Sequence, residues 1–248
     1  MSGRSPSWLT APAVSGRRTP LQLPSALTHP LPVEVWAPKG LRAQTPAPLL
    51  WCHDGSAYVE QANVLQWAGA HIKDGSLPPF RLVLASPVHR MQWYSGSPLY
   101  LRSVDRAVDA LRDRYAIERP LAFMGASLGG LTSMLVALRR PDVGAVLSQS
   151  GSFFWRQGPE VEWRWFDRVV RHADAIKAGE RRRARTDLRV AMTCSRREGN
   201  FENNKAVQAA LRSQGLRVDW RAVGGGHDYP SWRSALDPIW SNLLAETW

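Results

Sequence analysis

The chain has 248 residues, 44% of them hydrophobic, enough apolar material for one large core or two small ones. No run approaches the roughly 20 apolar residues of a membrane-spanning helix, and MSGRSPSWLTAPAVSGRRTP at the start has no apolar leader stretch, so no membrane partner and a cytoplasmic location are expected. A net charge of +11 fits either an anionic small-molecule partner or scattered solvated charge; no zinc-finger, RNP or P-loop pattern accompanies it, and no nucleic-acid partner is expected.

Residues 1–30 are rich in Pro, Ser and Thr and read as an irregular lead-in to a single domain over 31–248. LPVEVWAP (31–38) alternates like an antiparallel strand, whereas APLLWCH (47–53) and RLVLASP (81–87) are continuous apolar runs, as buried strands are. Between them VLQWAGAHI (64–72) has helical spacing. A helix over 101–115 places Leu101, Val104, Val108 and Leu111 on one face. Then come a strand (120–125), a helix (128–140) stopped by Pro141, and a strand (144–151). An Arg- and Trp-rich insertion spans 152–186, where a lid would sit, and ends in ERRRAR (180–185), which reads as a solvated loop or helix end. A strand (187–194), a helix (203–215), a strand (217–223) and a final helix at about 232–245 complete the chain. This alternation predicts an α/β fold with a mostly parallel central sheet and helices on both faces. Cys52 and Cys194 each end an apolar run, and no disulfide is expected between them.

GASLG (125–129) lies between a predicted strand and a predicted amphipathic helix. This is the setting of the G-x-S-x-G elbow, in which a serine projects from a tight strand-to-helix turn. Ser127 is the candidate nucleophile. Gly125 and Gly129 fit because a Cβ at either would collide with neighbouring chain, and the Leu128 amide at the helix start is a candidate oxyanion donor. A serine hydroxyl needs a base, a group to orient that base, and donors for the developing oxyanion. In folds of this kind the acid and the histidine follow successive later strands. Here SRREGNFENN offers Glu198 or Glu202 after one strand, and GGGHDYPSW offers His227 after the next. Asp228 adjoins the base, an awkward position from which to orient it. CHDGSAY (52–58) follows an early strand, and the amide of Gly55 or Ser56 would supply the second oxyanion donor; an ordinary Asp-Gly turn accounts for the same residues. His53 and His89 end strands and read as supporting residues. Trp93, Tyr94, Phe153, Phe154 and Trp155 follow predicted strands, where they would line an aromatic pocket.

CHDGSAY, HRMQWYS, GASLGGLTSMLVALRRPDVGAVLSQSGSFFW, and REGNFENNKAVQAAL followed by GGGHDYPSWRSAL together resemble the enterochelin (ferric enterobactin) esterase branch of the α/β-hydrolases, over about 47–245. The resemblance implies an α/β-hydrolase fold and a serine esterase, with Ser127 as nucleophile, His227 as base, Glu198 as acid and Arg90 facing an anionic or catecholate substrate. It implies neither cofactor nor metal, and a small aromatic or anionic ester as partner. An aryl or feruloyl-type esterase, an acyltransferase using an alcohol in place of water, and a non-catalytic binder of an anionic ligand are the alternatives.

Overall fold

The computed structural model describes residues 5–118, 120–155, 163–180 and 187–248. The apolar runs become the centre of one eight-stranded sheet: β1 Gly16–Leu23, β2 Leu31–Pro38, β3 Leu49–His53, β4 Arg81–Ala85, β5 Leu121–Ala126, β6 Val143–Gln149, β7 Arg189–Ser195 and β8 Arg217–Val223. Their order is β1-β2-β4-β3-β5-β6-β7-β8. β1 and β2 are antiparallel to their neighbours, and β3 to β8 run parallel. Strands β3 to β6 are buried at every residue, which is why they read as unbroken apolar runs.

Helices cover both faces. Successive strand residues point to opposite sides, so Trp51 and Phe123 join one core with Leu101, Val104, Leu131, Val169 and Val207. Leu50, Cys52, Ala122 and Met124 join the other with Tyr58, Trp67, Trp232 and Trp240. The first face carries α3 Arg90–Tyr94, α4 Pro98–Arg114, α5 Leu128–Arg139, α6 Phe166–Lys177 and α7 Phe201–Ser213; the second carries α1 Gly55–Ala62, α2 Val64–Lys73, α8 Tyr229–Arg233 and α9 Ser241–Ala245. The ends of α4 and α5 are tied by charge: Asp142 receives Arg112 and Arg140, and Asp105 receives Arg139 and Arg140. Burial alone would raise the Asp142 carboxyl, but these arginines hold it at about 2.

Beside the helices α1 and α3, which the sequence did not announce, three elements differ from the sequence reading. Among the described residues of the expected lead-in, Ser7–Leu9 forms a 3-10 turn that buries Trp8, and β1 pairs with β2 along its whole length, Gly16 opposite Pro38 through Leu23 opposite Leu31, so this stretch is not irregular. GRRTPLQL escapes an apolar pattern because it is an edge strand whose side chains are largely exposed. The final helix is broken into α8, a π turn over Leu236–Trp240, and α9; Asp237, held before Pro238, is extended at φ −126° and ψ 137°. In the 152–186 insertion, α6 turns its inner face into the core instead of standing over it as a cover. The rest of that insertion at 156–162 and 181–186, with ERRRAR beyond Glu180, lies outside the described residues.

Candidate active site

Ser127 stands between β5 and α5 with φ 55° and ψ −123°, a conformation that non-glycine residues rarely adopt. The turn is crowded on both sides. A Cβ on Gly125 would lie 2.5 Å from the Gly129 backbone, and one on Gly129 would lie 3.1 Å from the Asp54 carboxylate. The Ser127 N–H donates to the Gln149 carbonyl (2.9 Å), and its own carbonyl accepts from the Ser152 N–H (3.1 Å) and the Leu131 N–H (3.1 Å). Its hydroxyl lies 3.2 Å from that of Ser152. The Leu128 amide opens α5, where unpaired N–H groups and the helix dipole favour negative charge.

His227 sits in the loop after β8, and its Nδ1 is 2.6 Å from Glu198 Oε2 in the turn after β7. Glu198 Oε1 accepts from the Ser195 N–H (2.9 Å) and the Ser150 hydroxyl (2.8 Å). Burial pushes the Glu198 carboxyl up, but hydrogen bonds from His227, the Ser195 amide and Ser150 outweigh it and hold the group below the ordinary carboxylate range. Glu198 is therefore ionised at neutral pH. A proton on His227 Nδ1 would donate to Glu198 Oε2, which would turn Nε2 away from the carboxylate. The other acidic candidates lie elsewhere. Glu202 is 67% exposed and faces Lys205, and Asp228 caps α8 by accepting from the Ser231 N–H at 2.8 Å.

The segment following β6 joins the two halves. Ser150 has φ 48°; its hydroxyl donates to Glu198 and accepts from Trp232 Nε1 (2.9 Å), and the Trp232 ring meets the His227 ring edge-on at 5.0 Å. Beneath, the buried Gln149 side chain accepts from the Tyr58 hydroxyl (2.7 Å) and donates to the Trp232 carbonyl (2.8 Å). Residues 149–152 thus bond Ser127 on one side and the Glu198–His227–Trp232 group on the other. The sequence assigns Ser150, Ser152 and Trp232 no role, although SQSGS at the end of a buried strand and GGGHDYPSW contain them.

On the opposite flank, Asp54 is left-handed at φ 58° and Gly55 begins α1. A Cβ at Gly55 would lie 2.4 Å from Leu84 Cα, so only glycine fits there. The Ser56 N–H already donates to Ser86 Oγ at 3.1 Å, which leaves the Gly55 and Leu128 amides as the two of the three expected donors not bound in this way. Arg90, expected to face substrate, grips Asp54 with both prongs, Nε to Oδ1 at 2.8 Å and Nη2 to Oδ2 at 2.7 Å, and its side chain is 36% exposed. Trp93 and Tyr94 are not pocket walls. Trp93 is 2% exposed and stacked on Tyr100; Tyr94 is fully buried, its hydroxyl donating to the Ala85 carbonyl and accepting from the Asp54 N–H. Helix α3 turns both rings inward, a direction that sequence position alone does not reveal. Phe153 is buried, Phe154 stacks on Phe166, and Trp155 is half-buried. His53 bonds Ser133 Oγ at 2.8 Å and is lowered by burial to about 3, so it stays neutral in the core.

Among the described residues no cluster of three His, Cys, Asp or Glu side chains could hold a metal ion, and no helix is long and apolar enough to cross a membrane.

A family model described as "Putative esterase" matches residues 25–243. The Iron(III) enterobactin esterase of Escherichia coli K12 is 35% identical over 115 residues, 45% of this chain and 26% of the relative; that of Dickeya dadantii is 32% identical over 118 residues. The chain thus matches about a quarter of the length of these relatives. In three dimensions it resembles the enterochelin esterase of Shigella flexneri (TM-score 0.78, 24% identity, 96% of this chain and 61% of that one). It also resembles the ferric enterobactin esterase of Salmonella typhimurium (0.79, 25%, 99% and 63%) and a ferulic acid esterase (0.79, 16%, 94% and 98%). These likenesses bear out the α/β-hydrolase fold.

Proposed function

Because the chain belongs to the Putative esterase family, we propose that it hydrolyses carboxylic esters through an acyl-enzyme on Ser127. The observation that carries this reading is the 2.6 Å bond between His227 and the buried carboxylate of Glu198, tied through Ser150 to the segment that bonds the strained serine. Ser127 Oγ attacks the ester carbonyl carbon while His227 Nε2 takes its proton. Glu198 fixes the imidazole orientation and stabilises the imidazolium. The Gly55 and Leu128 amides receive the oxyanion, each donor being worth roughly 10²–10³ in rate. Collapse of the tetrahedral intermediate expels the alcohol, which takes the proton from His227. Water then gives a proton to His227 and its oxygen to the acyl carbon, and Ser127 recovers its proton as the acid leaves.

For the substrate, a catecholate siderophore ester is supported by the named activity of the Escherichia coli relative and by the net charge of +11, which suits an anionic ligand. Ser127→Ala should abolish turnover of p-nitrophenyl butyrate and labelling by a fluorophosphonate probe. Survival of either would overturn the mechanism. Ferric enterobactin should be cleaved with a higher kcat/KM than p-nitrophenyl butyrate, and an equal or lower value would remove the siderophore assignment while leaving the esterase reading intact.

A further inference from the structure

A groove of about 300 Å³ opens beside the candidate oxyanion turn and has no part in the chemistry above. Ser56, one residue beyond Gly55, and Ser86 both line it, and their hydroxyls lie 3.0 Å apart. Pro20, Pro32 and Leu84 make apolar walls. Proline and leucine contacts of this kind lose little side-chain freedom on binding. Arg18 and Glu34 also line it, and they neutralise one another at 3.3 Å. Four of its lining residues, Arg18, Pro20, Leu21 and Gln22, belong to β1, which precedes residue 25, where the family match begins.

The volume lies at the low end for ligand pockets and suits one ring-sized group. An apolar lining with self-paired charge favours an arm without charge of its own, because an ionic arm would find no unpaired counter-charge. We propose that this groove is the subsite for a neutral, flat, ring-bearing arm of the ester, with β1 as the element that sets arm preference. The proposal rests on the reading of Ser127 as nucleophile and Gly55 as oxyanion donor.

Gln22 is exposed on β1 and lines the groove, so Gln22→Trp fills it from an edge strand that tolerates aromatic residues. Two substrate pairs read the effect: p-nitrophenyl 3-phenylpropionate against p-nitrophenyl acetate for the acyl arm, and 2-naphthyl acetate against ethyl acetate for the alcohol arm. In one pair kcat/KM for the ring-bearing ester should fall at least tenfold while its small partner stays within twofold. Glu34→Gln, which frees Arg18, should raise kcat/KM for p-nitrophenyl 3-(4-carboxyphenyl)propionate at least threefold. Equal changes within both pairs, or none, together with no gain from Glu34→Gln, would overturn the subsite while normal acetate turnover upheld the esterase. A wild-type protein inert towards all these esters would overturn both.

Discussion

Arg90→Ala separates two roles for one side chain. The Asp54 carboxylate is 6% exposed, and both its oxygens are held by Arg90, which is itself 36% exposed. Removing one partner of a fully buried pair costs roughly 3–5 kcal/mol. Water can reach the space vacated by a partly exposed arginine, so about 2 kcal/mol is the expected loss, in line with the ~1.5–3 kcal/mol of charged hydrogen bonds. For a chain of this size that lowers Tm by roughly 4–8 °C. Asp54 directly precedes Gly55, so loosening it should also displace the proposed oxyanion donor and lower kcat by up to about 10² on neutral as well as anionic esters. Arg90→Lys keeps the charge without the fork and should recover only part of both losses. Thermal melts followed by circular dichroism, with kcat and KM on p-nitrophenyl butyrate and on a carboxylated analogue, make the test. A variant that melts within about 1 °C of wild type and raises KM for the anionic ester alone would refute this reasoning and make Arg90 a substrate ligand.

Glu198→Gln places an amide against His227 Nδ1 and favours the wrong tautomer; kcat should fall by roughly 10³–10⁴ with KM little changed, and a loss below tenfold would show that the carboxylate does not orient the base. Ser150→Ala removes a donor to Glu198 and the acceptor of the Trp232 indole; about tenfold in kcat is expected from a lost hydrogen bond of ~1–2 kcal/mol, and unchanged kinetics would detach Ser150 from the site. Asp142→Asn tests the charge cluster at the ends of α4 and α5. The folded carboxyl lies at about 2 and an unfolded one at about 3.9, so its stabilisation is fully present above the unfolded value and is lost as pH falls through the folded one. In urea unfolding, the gap between wild type and variant should therefore be widest at neutral pH and close between about pH 4 and pH 2; a gap independent of pH would contradict the pairing.

The sequence made the centre of the fold legible because buried parallel strands must be apolar throughout. LLWCH, RLVLA and LAFMGA could hardly be anything else. It hid β1 because an edge strand obeys no such constraint, and α1 because the helix begins in a glycine chosen for closeness to Leu84. For the candidate site, the elbow was readable from its glycines, and the proposed order of serine, acid and histidine from the strands before them. The long-range partners were not. Arg90 and Asp54 are 36 residues apart, and nothing in either segment announces a two-pronged bond. The sequence likewise left Glu198 and Glu202 open as the candidate acid, because it does not show that α7 carries Glu202 onto an exposed face with Lys205.

Ser127 and Ser150 end neighbouring strands, and both are left-handed without being glycine. Each such residue holds roughly 1–3 kcal/mol of backbone strain. The molecule thus keeps a spring at the C-terminal ends of two interior strands, compressed where the proposed reaction would occur. Ser127→Gly would release part of it and yield a sturdier, inert protein. With Ser127 as the proposed nucleophile, the fold holds backbone strain at the reacting residue that glycine would relieve, so activity and stability would pull this position in opposite directions.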